Sequence, residues 1–322
     1  MFTNGLIMKA IAINEFGGPD KLQLMDLPVP EPQTGEILIK IKAAGVNPVD
    51  WKIRKGLLQG RLPHEFPLVP GWDAAGIVAK VGNGVQHFAE RDEVYAYCRK
   101  AIIKDGTYAE YVVVPENNAA FKPSKMSFSE AGVVPLSALT ACQSLFSEGQ
   151  LKAGESVMIH AAAGGVGTYA VQLARNAGAC VLGTAGLENH AYLLELGVSE
   201  PIDYVNADFR DIVRKKHPQG VDVVFDCVGG NVFQKSVDIL KQGGRLVSII
   251  EPEGVKQLQA RGINAHYVFV TPSRRQLSAL TEMIEAGQLK AFISRSFPLK
   301  EAAEAQRLSE TGHTRGKIVL IV

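Results

Sequence analysis

Two rhythms of apolar and polar residues divide the chain. In "EILIKIKAAGVN" the residues Ile37, Ile39 and Ile41 point one way and Leu38, Lys40 and Lys42 the other. That two-residue period predicts a strand. "YAEYVVVPEN" reads as another strand, stopped at Pro115, and Pro and Gly punctuate the region every few residues. This first third predicts an antiparallel, barrel-like β domain.

After about residue 130 the strands become continuous apolar runs, as strands buried on both faces should be. They alternate with helices: "SVMIHA", a helix over 168–177, "CVLGTA", a helix over 189–196, "PIDY", a helix over 208–216, "VDVVFDCVG", a helix over 232–240, "RLVSII", then "HYVFV". Gly178 and Gly197 sit where helix C-terminal glycines belong. Six strands with helical crossovers predict an α/β fold, a doubly wound Rossmann parallel sheet. The tail from Thr271 predicts two helices and a last strand, "KIVLIV", whose β character returns it to the first domain. The expected boundaries are 1–130 with 272–322 for the β domain and 131–271 for the parallel sheet.

Composition narrows the function. The 322 residues carry 34 Lys and Arg against 33 Asp and Glu, so no net charge argues for nucleic acid or an anionic membrane. Cys98, Cys142, Cys180 and Cys227 are far apart, which fits a reducing compartment and a cytoplasmic protein. No signal peptide is evident; Met8 reads as the start of a strand, with residues 1–7 an extension. The longest uncharged run, Ser156 to Ala174, is broken by Gly164, Gly165 and Gly167, so no membrane span is expected.

The candidate chemistry begins at those glycines. Gly164-x-x-Gly167 follows a strand and opens a helix, with Ala162 at the first position of an A-x-G-x-x-G motif. Gly164 allows close backbone approach and Gly167 tight helix–strand packing, so the amides of Ala163, Gly164, Gly165, Val166 and Gly167 are candidates to bind a pyrophosphate. Val166, Ala170, Leu173, Ala174 and Ala177 should form the helix face turned to the sheet. An acid ending the second strand would bind a ribose 2′-hydroxyl and repel a 2′-phosphate. Here stands Thr184-Ala185-Gly186, without charge, so NADPH is the expected cofactor. Thr184, His190 and Tyr204 are candidates to contact the phosphate; for His190 an exposed first-turn position is the competing reading. Glu188 would reach the ribose if the strand ran two residues further.

Two motifs, "AAGVNPVDWKIRKG" (Ala43–Gly56) and "PLVPGWDAAGIVAKVGNGV" (Pro67–Val85), together with the sheet, resemble a medium-chain dehydrogenase/reductase of the zinc-free quinone oxidoreductase branch, with features of the alkenal/enone reductases. The resemblance extends to "SALTACQSL" and "GHTRGKIVLIV" and implies a GroES-like β-barrel catalytic domain beside the Rossmann domain. Where zinc members of the superfamily carry metal ligands, this chain has Asn47, Trp72 and about Leu136, and only Cys98 lies where a structural zinc lobe needs four cysteines; no metal is expected.

Without a Lewis acid, hydride transfer suits an acceptor that spreads charge over a π system, so a quinone or an α,β-unsaturated carbonyl is the expected substrate. The resemblance implies that Asn47 faces the nicotinamide ribose and substrate and that Lys52 bonds the ribose or a developing enolate; a surface lysine is the competing reading. Asp50 reads as a cap, and Trp51 and Trp72 as packing or pocket walls. The resemblance also implies Thr140 beneath the nicotinamide, Tyr204 near the adenosine, Ile250, Phe269 and Val270 around the carboxamide, and Lys317 as a further cofactor contact. The alternative class is a catalytically idle NADPH-binding protein. The apolar last strand of the sheet, Ala265–Val270, predicts pairing with a second copy in a homodimer unless a helix near Gln276–Ile284 covers it.

Overall fold

A computed structural model describes residues 6–322, so the reading of residues 1–7 lies, for residues 1–5, outside the described residues. The chain divides into two compact units: residues up to Leu136 with Pro272–Gly287 and Ala291–Val322, and Ser137–Thr271 with Gln288–Lys290.

The first unit contains strands β1 (Ile7–Ala12), β2 (Gln23–Pro28), β3 (Glu36–Val46), β4 (His64–Val69), β5 (Asp73–Val81), β6 (Glu93–Tyr97), β7 (Ile103–Asp105), β8 (Tyr111–Pro115) and β9 (Ala119–Phe121). Helices α1 (Pro48–Arg54) and α2 (Phe128–Ala131) follow β3 and β9, and α3 (Pro135–Cys142) leads into the second unit. On β3 the side chains of Ile37, Ile39 and Ile41 are buried and Lys40 is exposed, as the alternation requires. Leu38 is buried as well, because β3 is a central strand that pairs with both β5 and β8.

The second unit is a six-stranded parallel sheet of order β12-β11-β10-β13-β14-β15. Its strands are β10 (Ser156–Ile159), β11 (Cys180–Ala185), β12 (Glu200–Asp203), β13 (Val221–Asp226), β14 (Leu240–Ser248) and β15 (Ala265–Tyr267). The crossovers are α4 (Gly165–Asn176), α5 (His190–Leu196), α6 (Phe209–Lys216), α7 (Gly230–Ser236) and α8 (Pro252–Ala260). The apolar runs become its core: Met158, Leu182, Val224 and Leu246 pack with Phe209 and Phe233.

Three details depart from the sequence reading. Helix α8, absent from the apolar pattern, supplies the last crossover. Helix α4 is buried around its whole circumference from Gly167 to Ala174, not on one face. A second layer covers it: Thr168 Oγ1 meets Tyr192 OH at 3.0 Å, and Gln172 exchanges two hydrogen bonds with the backbone of Lys290 at 3.1 and 2.9 Å. Strand β15 stops at Tyr267 instead of running to Val270. After the bond from Val268 N–H to Ser248 O the chain leaves the sheet, and Thr271 N–H donates to Gln143 Oε1 at 3.0 Å.

The tail returns to the first unit. It adds α9 (Arg274–Glu285), β16 (Ile293–Pro298), α10 (Ala302–Glu310) and β17 (Lys317–Ile321). Strand β17 pairs antiparallel with β3, Ile318 opposite Val46 and Leu320 opposite Ala44, giving the order β16-β17-β3-β5-β6-β9. Helix α9 lies on β6 and β9 of its own unit, where Tyr95 OH donates to Leu277 O at 2.7 Å and Thr281 Oγ1 to Phe121 O at 3.1 Å.

Candidate functional site

Order along the parallel sheet reverses between β10 and β13. Ligands of doubly wound sheets bind outside the strand C-termini at such a switch point. The chain leaves β10 there, turns at Ala161 with φ +53°, and starts α4 with Gly164 as an extended N-cap. A Cβ on Gly167 would lie 2.2 Å from Ala161 O and 2.7 Å from Ala162 Cα, so only glycine lets the helix approach this closely. The first intrahelical bond is from Thr168 N–H to Gly164 O at 2.9 Å. The amides of Gly165, Val166 and Gly167 therefore stand outside the helical ladder at the positive end of the helix dipole. This donor set fits a pyrophosphate.

Thr184 does not stand open at the end of β11. It is 4% exposed; its hydroxyl accepts from Ala161 N–H at 3.1 Å and meets His160 Nδ1 at 3.3 Å. The pleat turns this hydroxyl, a candidate for the ribose phosphate, inward beneath the glycine loop. The residue just past the strand end is Gly186, and Glu188 folds back over it, its carboxylate 2.5 Å from where a Gly186 Cβ would be. Asn189 Nδ2 holds that carboxylate at 2.9 Å.

Of the other candidates on this unit, His190 opens α5 and its Nε2 is buried without a hydrogen-bond partner. Tyr204 is 54% exposed just beyond β12. Ile250 follows β14, its N–H donating to Ser248 Oγ at 3.1 Å. Thr140 and Ala163 are buried; Phe269 is 37% exposed while Val270 is buried. Most of these residues lie at or just past strand C-termini.

Lys317, expected as a further cofactor contact, lies in the first unit. It is buried there, at the start of β17. Its ammonium donates to Asn47 Oδ1 and, at 3.2 Å, to Val46 O, with Asp73 Oδ2 at 3.9 Å. Asn47 Nδ2 donates to Asp73 Oδ2 at 2.9 Å, and Leu136 N–H donates to Asp73 Oδ1 at 2.6 Å. Asp50 caps α1 by accepting from Asn47 N–H at 2.8 Å and also accepts from Tyr108 OH at 3.0 Å; its Oδ1 is buried without a partner. Asn47 is 1% exposed with both ends of its amide engaged inside the first unit.

Burial pushes Asp50 up to about 7, against the hydrogen bonds it accepts. Burial likewise raises Asp73 to about 6, opposed by the nearby Lys317, whose own pKa is lowered by burial. Two carboxylates and one ammonium share this pocket; it balances with one proton on the acids. Lys52 stands apart, half-buried on α1, its ammonium 5.6 Å from the Trp51 ring centroid and its pKa lowered by burial. Trp72 packs edge-on against Tyr97.

Zinc does not fit the residues present. The amide of Asn47, the indole of Trp72 and the side chain of Leu136 offer no tetrahedral donor set. Among the described residues no group of three or more His, Cys, Asp or Glu could hold a metal ion. Sequence reading missed Asp73, Tyr108 and Ser236, the partner of His160. His160 itself reads from the sequence as a loop or packed histidine rather than a ligand, and it is buried against Phe209. An acid inside the apolar run "GWDAAG" and a histidine inside "VMIHAAAG" were the available signals, since buried polar groups need partners.

Comparison with known proteins agrees with this architecture. Residues 33–124 match the alcohol dehydrogenase GroES-like domain, and residues 196–320 a zinc-binding dehydrogenase family. The quinone oxidoreductase of Rattus norvegicus is 34% identical over the full length of both chains. The chloroplastic NADPH-dependent alkenal/one oxidoreductase of Arabidopsis thaliana is 35% identical over 97% of this chain and 79% of its own. The solved quinone oxidoreductase from Coxiella burnetii superposes with a TM-score of 0.89 at 36% identity, covering 98% of this chain and 100% of that one. No helix among the described residues is long and apolar enough to cross a membrane. With a GroES-like unit, a Rossmann unit and full-length relatives of this kind, the chain belongs to the medium-chain dehydrogenase/reductase superfamily of oxidoreductases, in its quinone oxidoreductase group.

Proposed function

We propose that the chain is an NADPH-dependent reductase that transfers hydride to quinones or α,β-unsaturated carbonyls without zinc. The observation that carries the reading is the glycine loop at the switch point, where Gly167 packs too closely on Ala161 to carry a side chain. The Ser137–Thr271 unit is the dinucleotide-binding domain and the β unit the catalytic one. Gly165, Val166 and Gly167 hold the pyrophosphate by their amides, and Gly164, whose N–H is spent on Ala161 O, lets the phosphate approach the backbone closely. When bound, the reduced nicotinamide supplies the hydride. Lys52 is the donor for the charge that develops on the acceptor's oxygen; its desolvated ammonium is strengthened as a donor by burial. Asn47, fixed by Asp73 and Lys317, keeps α1 and hence Lys52 in place.

A conjugated acceptor needs less stabilisation than a plain ketone, which suits a site without a metal donor set. The names of the relatives support both the substrate class and NADPH. The free cysteines suit a reducing, cytoplasmic setting. Burial of Asn47 favours a second reading, an idle dinucleotide-binding protein, because it removes one expected donor. A turnover screen of quinones, alkenals and enones with NADPH and NADH, alongside metal analysis, separates the two. Oxidation of NADPH with metal-free protein is expected. Binding of NADPH with no oxidation by any acceptor would favour the idle reading, and activity that follows stoichiometric zinc would overturn the site.

A further inference from the structure

A chain of hydrogen bonds runs beneath the glycine loop and uses none of the residues assigned above to substrate. Ala161 N–H donates to Thr184 Oγ1 at 3.1 Å. Thr184 Oγ1 lies 3.3 Å from His160 Nδ1, and His160 Nε2 lies 3.0 Å from Ser236 Oγ. Ser236 Oγ donates to Val232 O at 2.7 Å, on α7. His160, Thr184 and Ser236 are all at least 96% buried, at 1%, 4% and 0% exposure.

Donor bookkeeping gives the chain one direction. The Ser236 hydroxyl proton is used on Val232 O, so Ser236 Oγ accepts from His160 Nε2–H. Nδ1 is then the acceptor for the Thr184 hydroxyl proton, which leaves Thr184 Oγ1 as the acceptor for Ala161 N–H. Every donor is spent once. Burial pushes the His160 pKa down to about 3, so the imidazole stays neutral through the physiological range. Phe209 packs edge-on against the ring at 4.7 Å and fixes its plane.

The chain ends on a residue under constraint. Ala161 holds φ +53°, in the left-handed region that side chains other than glycine, asparagine and aspartate rarely occupy. Its carbonyl accepts from Gly164 N–H at 2.9 Å and is the atom against which Gly167 packs. Such outliers persist where the surroundings over-determine them and are concentrated at binding sites.

We infer that His160 is a positioning residue: through Thr184 it locks Ala161 in its left-handed turn and so presets the first turn of α4 for the dinucleotide. The inference rests on the proposed dinucleotide binding. Anchoring in α7 by way of Ser236 makes the loop rigid before ligand arrives, so the cost of ordering it is not taken from binding.

The test measures NADPH dissociation constants by fluorescence for folded variants. Thr184→Val and His160→Phe should each weaken binding about tenfold, which is 1.4 kcal/mol. The double variant should be no weaker than the worse single one, because both cut the same chain. Thr184→Ser, which keeps the hydroxyl, should bind within about twofold of wild type. Wild-type affinity in both single variants, or an additive loss in the double, would overturn the inference and leave the proposed function standing; a wild type that binds neither dinucleotide would remove both. If His160→Phe fails to fold, the nitrogen spectrum of wild-type His160 decides. A protonated Nε2 with bare Nδ1 is expected, and the opposite tautomer reverses the chain and sinks the idea.

Discussion

Lys317 holds the side chain of Asn47 across 270 residues of sequence. The last strand of the chain thereby fixes the N-cap of the helix that carries Lys52, and it does so from inside the protein, beside Asp73.

Removing that ammonium leaves two buried carboxylates with no cation. Breaking one partner of a buried ionic group costs about 3–5 kcal/mol. Lys317→Met should therefore lower the urea midpoint strongly at pH 8. At pH 5 the cost should shrink, because Asp50 and Asp73, raised to about 7 and about 6, are then largely protonated. Equal losses at the two pH values would refute the charge account.

Asp50 gives a second pH dependence. Its folded pKa is raised above its ordinary value, so its contribution is fully present below about pH 4 and is lost as pH rises through about 7. The slope for one proton is at most about 1.4 kcal/mol per pH unit. His160 acts in the opposite sense: its depressed pKa makes stability fall as pH drops below about 6.5 toward 3. Asp50→Asn keeps an oxygen to accept from Asn47 N–H and Tyr108 OH while removing the titration. The variant should lose less stability than wild type between pH 5 and pH 8 in paired denaturation curves; parallel curves would exclude Asp50 as the titrating group.

Cofactor choice should be read at Gly186, not at Thr184. Gly186 has φ −66°, which any residue adopts, and the atom nearest an added Cβ is the movable tip of Glu188. Gly186→Asp should weaken NADPH binding more than NADH binding, by about tenfold in the ratio. Glu188→Gln should shift the ratio toward NADPH. A wild type that prefers NADH tenfold would reverse the assignment and make Glu188 the ribose ligand.

We expect a homodimer, with β15 and the Val268–Val270 segment that follows it as the contact edge. Val268 and Val270 are buried within the chain, so their substitution would test folding. Phe269, 37% exposed, is the residue to change. Light scattering at micromolar concentration should give twice the chain mass, falling to one in Phe269→Lys. A wild-type monomer would end the proposal, and an unchanged dimer in the variant would place the interface elsewhere.

Local pattern alone carried the strand alternation at Ile37, Ile39 and Ile41, the six buried strands of the parallel sheet, the return of "KIVLIV" to the β unit and the glycine turn before α4. Each of these is written in the spacing of neighbouring residues, because a strand or helix repeats its exposure every few positions. Helix α8 and the truncated β15 escaped it: the first has a weak apolar stripe, and the second ends where Gln143 captures Thr271.

What only the tertiary structure decided is where polar groups spend their hydrogen bonds. Thr184 reads as an open strand end, yet the pairing of β10 with β11 turns its hydroxyl under Ala161. The family resemblance implies that Asn47 faces substrate; in the structure Lys317 and Asp73 arrive from distant strands and engage both ends of its amide. A buried polar atom must find a partner, but the sequence names only the need; packing of remote strands chooses the partner.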